Sequence, residues 1–188
     1  RVLHDPANRA VLVGQLRGAL SAVERLALAG DQWALVRAGR ATIESFLDVA
    51  DALGEETDYD VLDGLAGPLG LIDDQIVVPG SPVQQLFRDW VVRRFEPGLE
   101  QLGWSPAPGE DDAVRLRRAS LVRLVGGIAE APAVMAEARR WLDRYLLDRA
   151  VLEPNLADPV VGLAARGGDD ALYDQYREVV AAARTPQE

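Results

Sequence analysis

Apolar residues recur at helical spacing along almost the whole chain, and that periodicity limits the fold more than any other feature. Ile43, Phe46, Leu47, Ala50 and Leu53 fall at i, i+3, i+4, i+7 and i+10, which is one stripe on an α-helix. Val83, Leu86, Phe87, Trp90 and Val91 repeat the pattern, as do Leu121, Leu124, Val125 and Ile128. Val134, Ala138, Trp141, Leu142 and Tyr145 form another stripe, and Leu172, Tyr176, Val179 and Val180 the last. A strand would alternate with period two. The nearest candidate, 72–78, reads as a helix end.

Capping signals divide the pattern into helices. Asp5 with Pro6, Ser81 with Pro82 and Ala131 with Pro132 put proline at the first helical position, where its missing N–H has no partner to lose. Ser21 and Glu24 have capping-box spacing, and Thr42 suits an N-cap. Gly39, Gly54, Gly103 and Gly167 stand where helices stop. The pattern predicts nine helices, near 5–20, 22–38, 43–53, 58–77, 82–102, 111–130, 132–148, 156–166 and 169–184. Pro68, Pro97 and Pro159 lie inside three of them and predict bends that follow neighbouring helices. Nine helices with short connections exceed one four-helix core. The expected fold is therefore all-α, with antiparallel pairs stacked as an irregular α-superhelix of the HEAT or armadillo kind. Trp33, Phe46, Phe87, Trp90, Trp141 and Tyr145 are expected to be largely buried between the helices.

Composition narrows the chemistry. There is no cysteine, which removes thiolate nucleophiles, thiolate metal sites and disulfides. All 20 basic residues are arginine, so no lysine can form a Schiff base or grip a phosphate. His4 is the single histidine and reads as a surface residue, too few for a multi-histidine zinc site. A net charge of −10 repels phosphate and argues against nucleic acid. Arg115, Arg117, Arg118, Arg123, Arg139, Arg140 and Arg144 are expected on solvated helix faces, paired with acidic neighbours. No apolar run reaches the ~20 residues that cross a bilayer, so no membrane contact is expected. The alanine-rich, lysine-free composition fits a GC-rich bacterial genome.

Carboxylate pairs are what remains for catalysis: Glu55 with Glu56, Asp73 with Asp74, Asp111 with Asp112, and Asp169 with Asp170. Three of these pairs fall at predicted helix starts, where acids cap free N–H groups and meet the positive end of the helix dipole. Adjacent helical residues also face different directions, which makes a poor acid/base dyad. The residues alone describe a helical scaffold with no catalytic, metal-binding or cofactor-binding residue, and they do not identify substrate contacts.

The order of segments adds a resemblance. Asp31, Trp33, Leu35 and Gly39 fit an Asp-x-aromatic-x-Leu-x-x-x-Gly helix, followed by Glu56-Thr57-Asp58-Tyr59. Leu102-Gly103-Trp104 then precedes the acidic linker Gly109-Glu110-Asp111-Asp112 and the helix carrying Leu116-Arg117-Arg118. Trp141, Pro154-Asn155-Leu156 and Pro159-Val160 come next, and the segment from Ala171 to Arg184 leads into Thr185-Pro186-Gln187-Glu188. Arg1-Val2-Leu3-His4-Asp5 matches an entry motif that usually has tyrosine in place of His4, and Ala157 stands where arginine is common. Taken together, these segments resemble the C-terminal helical domain of the aminopeptidase N, puromycin-sensitive and endoplasmic-reticulum aminopeptidase family of zinc metallopeptidases.

The resemblance implies that residues 1–188 are part of one C-terminal helical-repeat domain, truncated at both ends relative to a cytoplasmic parent. Thr185 to Glu188 would then open a further helix. The parent would be a zinc-dependent aminopeptidase whose catalytic domain carries His-Glu-x-x-His and a distal glutamate on zinc, and a Gly-x-Met-Glu-Asn loop for the peptide N-terminus. None of these motifs is in this sequence. By analogy, this region is a non-catalytic cap over the active-site cavity that limits substrate length, with the catalytic domain and peptide substrates as partners. The alternative is a free-standing helical-repeat module that binds a protein partner.

Overall fold

The structure is a computed structural model and describes residues 2–183. Nine α-helices occupy the described residues: α1 Pro6–Ala19, α2 Ala22–Arg37, α3 Ile43–Ala52, α4 Tyr59–Leu71, α5 Pro82–Leu102, α6 Asp112–Val122, α7 Pro132–Leu147, α8 Pro154–Arg166 and α9 Asp170–Ala182. No strand occurs among them, as the periodicity requires. The last turn of α4 runs on into a π-helical segment, Ile72–Ile76, and that of α6 into another, Arg123–Ile128. The predicted helices 58–77 and 111–130 are therefore each an α-helix ending in a π-turn. A 3-10 turn, Arg149–Val151, precedes α8. The predicted 156–166 helix starts two residues early, because Pro154 takes the first helical position behind the Glu153 cap.

The predicted caps form. Asp5 accepts from the amides of Ala7 and Asn8, and Ser21 and Glu24 make both halves of the capping box. Thr42, Ser81, Asp111 and Asp169 each accept from the first turn that follows. Pro97 and Pro159 leave α5 and α8 continuous, whereas α4 turns π-helical four residues after Pro68. The segment Thr185 to Glu188, expected to open another helix, lies outside the described residues.

Packing follows a simple order. α2 packs on α4, α4 on α6 and α6 on α8, so the even-numbered helices form one continuous layer. The odd-numbered helices lie against it: α3 on α2, α5 on α6 and α7 on α8, with α1 on α3. Between the end of α6 and α7 the chain reverses by 118°, a steep crossing rather than strict antiparallel packing. Among the described residues no single helix is long and apolar enough to cross a membrane.

One hydrophobic cluster runs through both layers. Phe46, Leu62, Leu65, Phe95, Val122, Leu124 and Leu142 are fully enclosed. Burial of such side chains stabilises by roughly 1.5–3 kcal/mol each. Of the six aromatics expected inside, Phe46 and Phe87 are buried. Trp33, Trp90, Trp141 and Tyr145 are half-buried, laid along the edge of the cluster. Their rings are too large for the gaps and find other partners: Trp33 tilts against Phe46, Trp90 stacks on Phe87, and Arg144 lies over Trp141. Two expected stripes are corrected. Val83 and Leu86 are 62% and 65% exposed, and Val180 is 74% exposed, so the outer turns of α5 and α9 carry apolar residues without a neighbouring helix.

Candidate functional site

The ion pairs that position the helices include some that sequence spacing could not show. Arg118 was expected in solvent and is fully buried. Its guanidinium donates to both Glu110 carboxylate oxygens and to the carbonyls of Gly103 and Leu102, which ties the 103–111 linker to α6. The Arg118 bonds hold the Glu110 carboxyl below its ordinary value. Arg117 is half-buried and donates to the Glu56 carbonyl, and burial lowers its own pKa. Arg123 is exposed, as expected. Arg139 and Arg140 pair with Asp143 and Glu137 on the surface.

The acidic pairs separate in the same way. Glu56 is buried, and Arg25 on α2 grips it with two bonds, at 2.6 and 2.8 Å. Burial pushes its carboxyl up, but the Arg25 bonds and the amides of Asp58 and Thr57 outweigh burial and leave it below the ordinary range. Glu55 faces solvent and meets Arg17. Asp111 and Asp169 are N-caps, and Asp112 and Asp170 sit in the first turns. None of these is arranged as an acid/base dyad. His4 is half-exposed near the chain start, and no group of three or more His, Asp or Glu among the described residues has metal-site geometry.

Asp73 belongs to the acidic pair that starts no predicted helix. It lies in the first π-turn, is 2% exposed, and accepts from Arg88 of α5 at 2.7 Å. Arg88 also reaches Glu130, and Glu130 in turn faces Arg166 of α8 at 3.7 Å. These contacts raise the Arg88 pKa, the Asp73 bonds first among them. Glu130 is the one described non-glycine residue with positive φ, at 50°. That region is uncommon for a side chain with a Cβ, and here it ends the second π-turn with the carboxylate turned toward both arginines.

The two π-turns and α8 enclose a groove of about 330 Å³ on the even-numbered layer. Its apolar floor comes from Ala66, Ile128, Pro159 and Leu163; Asp73, Asp74, Arg123, Asp158 and Arg166 surround it; and Gly70, Gly127 and Gly162 open onto it. Arg123 is held by Asp63 at 3.5 Å, and Arg166 donates to the Gly127 carbonyl and faces Glu130. Asp74 and Asp158 are exposed and have no cation partner among the described residues. π-Turns recur at functional sites because the extra residue widens the helix and turns side chains out of register. Residues of both π-turns line this groove. Sequence reading missed it, although the Gly126-Gly127 pair inside a predicted helix was a visible sign.

Comparison with known proteins decides the family. The model for the ERAP1-like C-terminal domain matches residues 1–188, the whole chain. The chain belongs to this family. Its relatives include aminopeptidase M1-A of Oryza sativa subsp. japonica, 26% identical over 171 residues, which are 85% of this chain and 19% of that protein. Aminopeptidase M1-B of the same plant is 29% identical over 177 residues, covering 87% and 20%. Aminopeptidase M1 of Arabidopsis thaliana is 25% identical over 172 residues, covering 85% and 19%. This ERAP1-like C-terminal domain thus spans about a fifth of the length of the curated relatives it matches.

Proposed function

We propose that this domain is the non-catalytic C-terminal part of a zinc aminopeptidase, and that it covers the catalytic cavity and restricts which peptides enter. The observation that carries the reading is the match to an aminopeptidase C-terminal domain family along the full chain. The chain's own chemistry agrees with a supporting role. It has no cysteine or lysine and one histidine, and the buried acids Glu56 and Asp73 are held by Arg25 and Arg88. Zinc and the residues that bind it would belong to the parent's catalytic domain.

Helix packing suggests which face meets the cavity. In a two-layer helical stack the layer whose members touch in succession lies on the inside of the curve, because the inner arc is shorter. Here that is the even-numbered layer, which would continue as a superhelix with its concave side over the active site. A cap of this kind excludes bulk protein and water from the chemistry. We place the parent in the cytoplasm, with peptides as substrates and the catalytic domain as the direct partner.

The test uses the enzyme encoded by the complete reading frame, with and without the segment corresponding to this domain. Zinc content and turnover of an aminoacyl reporter are compared with turnover of a graded series of longer peptides. The expected result is that removing the domain leaves zinc bound and changes the ratio of long- to short-peptide turnover. An unchanged length profile would contradict the covering role, and a reading frame without His-Glu-x-x-His would contradict the aminopeptidase assignment.

A further inference from the structure

The two flanks of α5 in the odd-numbered layer differ. Toward α3 the gap is bridged, because Asp51 accepts from the Trp90 indole at 2.9 Å and from Arg94. Toward α7 there is a furrow of about 430 Å³. Glu96, Leu99 and Glu100 form its α5 wall at i, i+3 and i+4, and Ala133, Val134 and Glu137 its α7 wall at i, i+1 and i+4. Each wall is therefore one edge of a helix. Leu99 and Val134 are buried and make the floor. Half-buried Trp104 also lines the furrow, directly after Gly103 turns the chain out of α5 at φ 62°.

The charges define what fits there. Glu137 is engaged by Arg140, the cation that lines the furrow. Glu96 and Glu100 have no cation partner among the described residues, and Arg93 beside them is exposed and pairs with neither. Like charges at i and i+4 oppose each other on their own helix, so this edge of α5 gains from cations supplied from outside. An apolar floor, an indole and unbalanced carboxylates complement a surface that is apolar along one line and cationic beside it. Helix edges accept the ridge of another helix between them. Residues four apart on any α-helix lie about 6 Å apart along its axis, so cations at i and i+4 of a partner helix match the spacing of Glu96 and Glu100.

We propose that the furrow between α5 and α7 is a docking surface for a basic amphipathic helix of a protein partner. The apolar stripe of that helix lies against Trp104, Leu99 and Val134, and two arginine or lysine side chains four residues apart meet Glu96 and Glu100. The furrow belongs to the odd-numbered layer, so the proposal does not depend on the even-numbered layer covering a catalytic cavity, and the two fail separately.

The test uses the 188-residue chain and a fluorescein-labelled helical peptide, Leu-Ala-Arg-Leu-Ala-Ala-Arg repeated three times, blocked at both ends. Anisotropy measures affinity, and indole N–H signals in a 15N-labelled sample locate the peptide. Saturable binding that moves the Trp104 signal and leaves those of Trp33 and Trp90 in place is expected. Affinity should fall about tenfold when glutamine replaces arginine in the peptide, and equally for Glu96→Gln with Glu100→Gln, the loss of two surface ion pairs. Neither glutamate has a described cation partner, so that double variant should keep its melting temperature. Ala133→Arg, at an exposed position on the α7 wall, should abolish binding by placing a cation in the furrow. Glu44→Gln with Glu178→Gln removes the same charge from exposed positions on α3 and α9 and should leave affinity unchanged. The proposal is overturned by an equal loss in that control pair, since binding would then follow net charge alone. A peptide of the same composition in scrambled order that binds as tightly, equal affinity for the glutamine peptide, an unmoved Trp104 signal, or no saturable binding would each overturn it too.

Discussion

At the scale of single residues, glycines within helical segments have opposite meanings. Gly126→Ala drives a methyl into Leu163 and Val134, and overpacking of this kind costs about 1–3 kcal/mol. Gly162→Ala meets open space and should stabilise by about 0.5–1 kcal/mol. Chemical denaturation of the two variants should shift the midpoint in opposite directions, and shifts of the same sign would mean that the α8 contact with the second π-turn is wrongly placed. Glu56 gives a pH prediction. Its folded pKa lies below its unfolded value, so its contribution is complete above the ordinary value of 4.5 and is lost as pH falls through the folded pKa. Glu56→Gln should therefore flatten the loss of stability on acidification below that value. The sequence showed Glu56 only as half of an acidic pair. Its partner is 31 residues away, and pairing across that distance leaves no trace in local spacing. Arg118 was misjudged for the same reason, since both an exposed and a fully buried arginine fit a helical pattern of charges.

At the scale of elements, helix existence and caps were legible because they depend on neighbours in sequence. Proline at the first helical position and serine before it mark where N–H groups need satisfying, and Ser21 and Ser81 do this as read. Replacing Ser81 with alanine should cost about 1 kcal/mol, measurable as a lower thermal midpoint; no change would mean that the α5 start is held by Gln84 and Pro82 alone. The π-turns were not legible. A single π-turn at the end of a helix shifts too few residues for apolar spacing to register the change, and a short apolar stretch such as 124–129 fits either geometry. The half-burial of Trp33, Trp90 and Trp141 was equally hidden, because periodicity gives the direction of a side chain and not the depth of the layer it enters. Phe46, fully enclosed, was read correctly. Phe46→Ala should lose about 3–5 kcal/mol, seen as a large drop in denaturation midpoint, and a loss under about 1 kcal/mol would place it at the edge with the tryptophans.

At the scale of the whole molecule, an order of weak motifs identified the family that the full-length match establishes, while the groove became visible only when α4, α6 and α8 were brought together. The central claim is that the even-numbered layer looks onto the catalytic cavity of an aminopeptidase. The most direct measurement is photo-cross-linking in the complete enzyme, with a non-hydrolysable peptide anchored by its N-terminus at the active site and a benzophenone near its far end. Cross-links mapped by mass spectrometry should fall on the exposed face of α4, α6 and α8, around Asp74, Gly127 and Gly162. Cross-links confined to the odd-numbered helices, or none to this domain, would contradict the account.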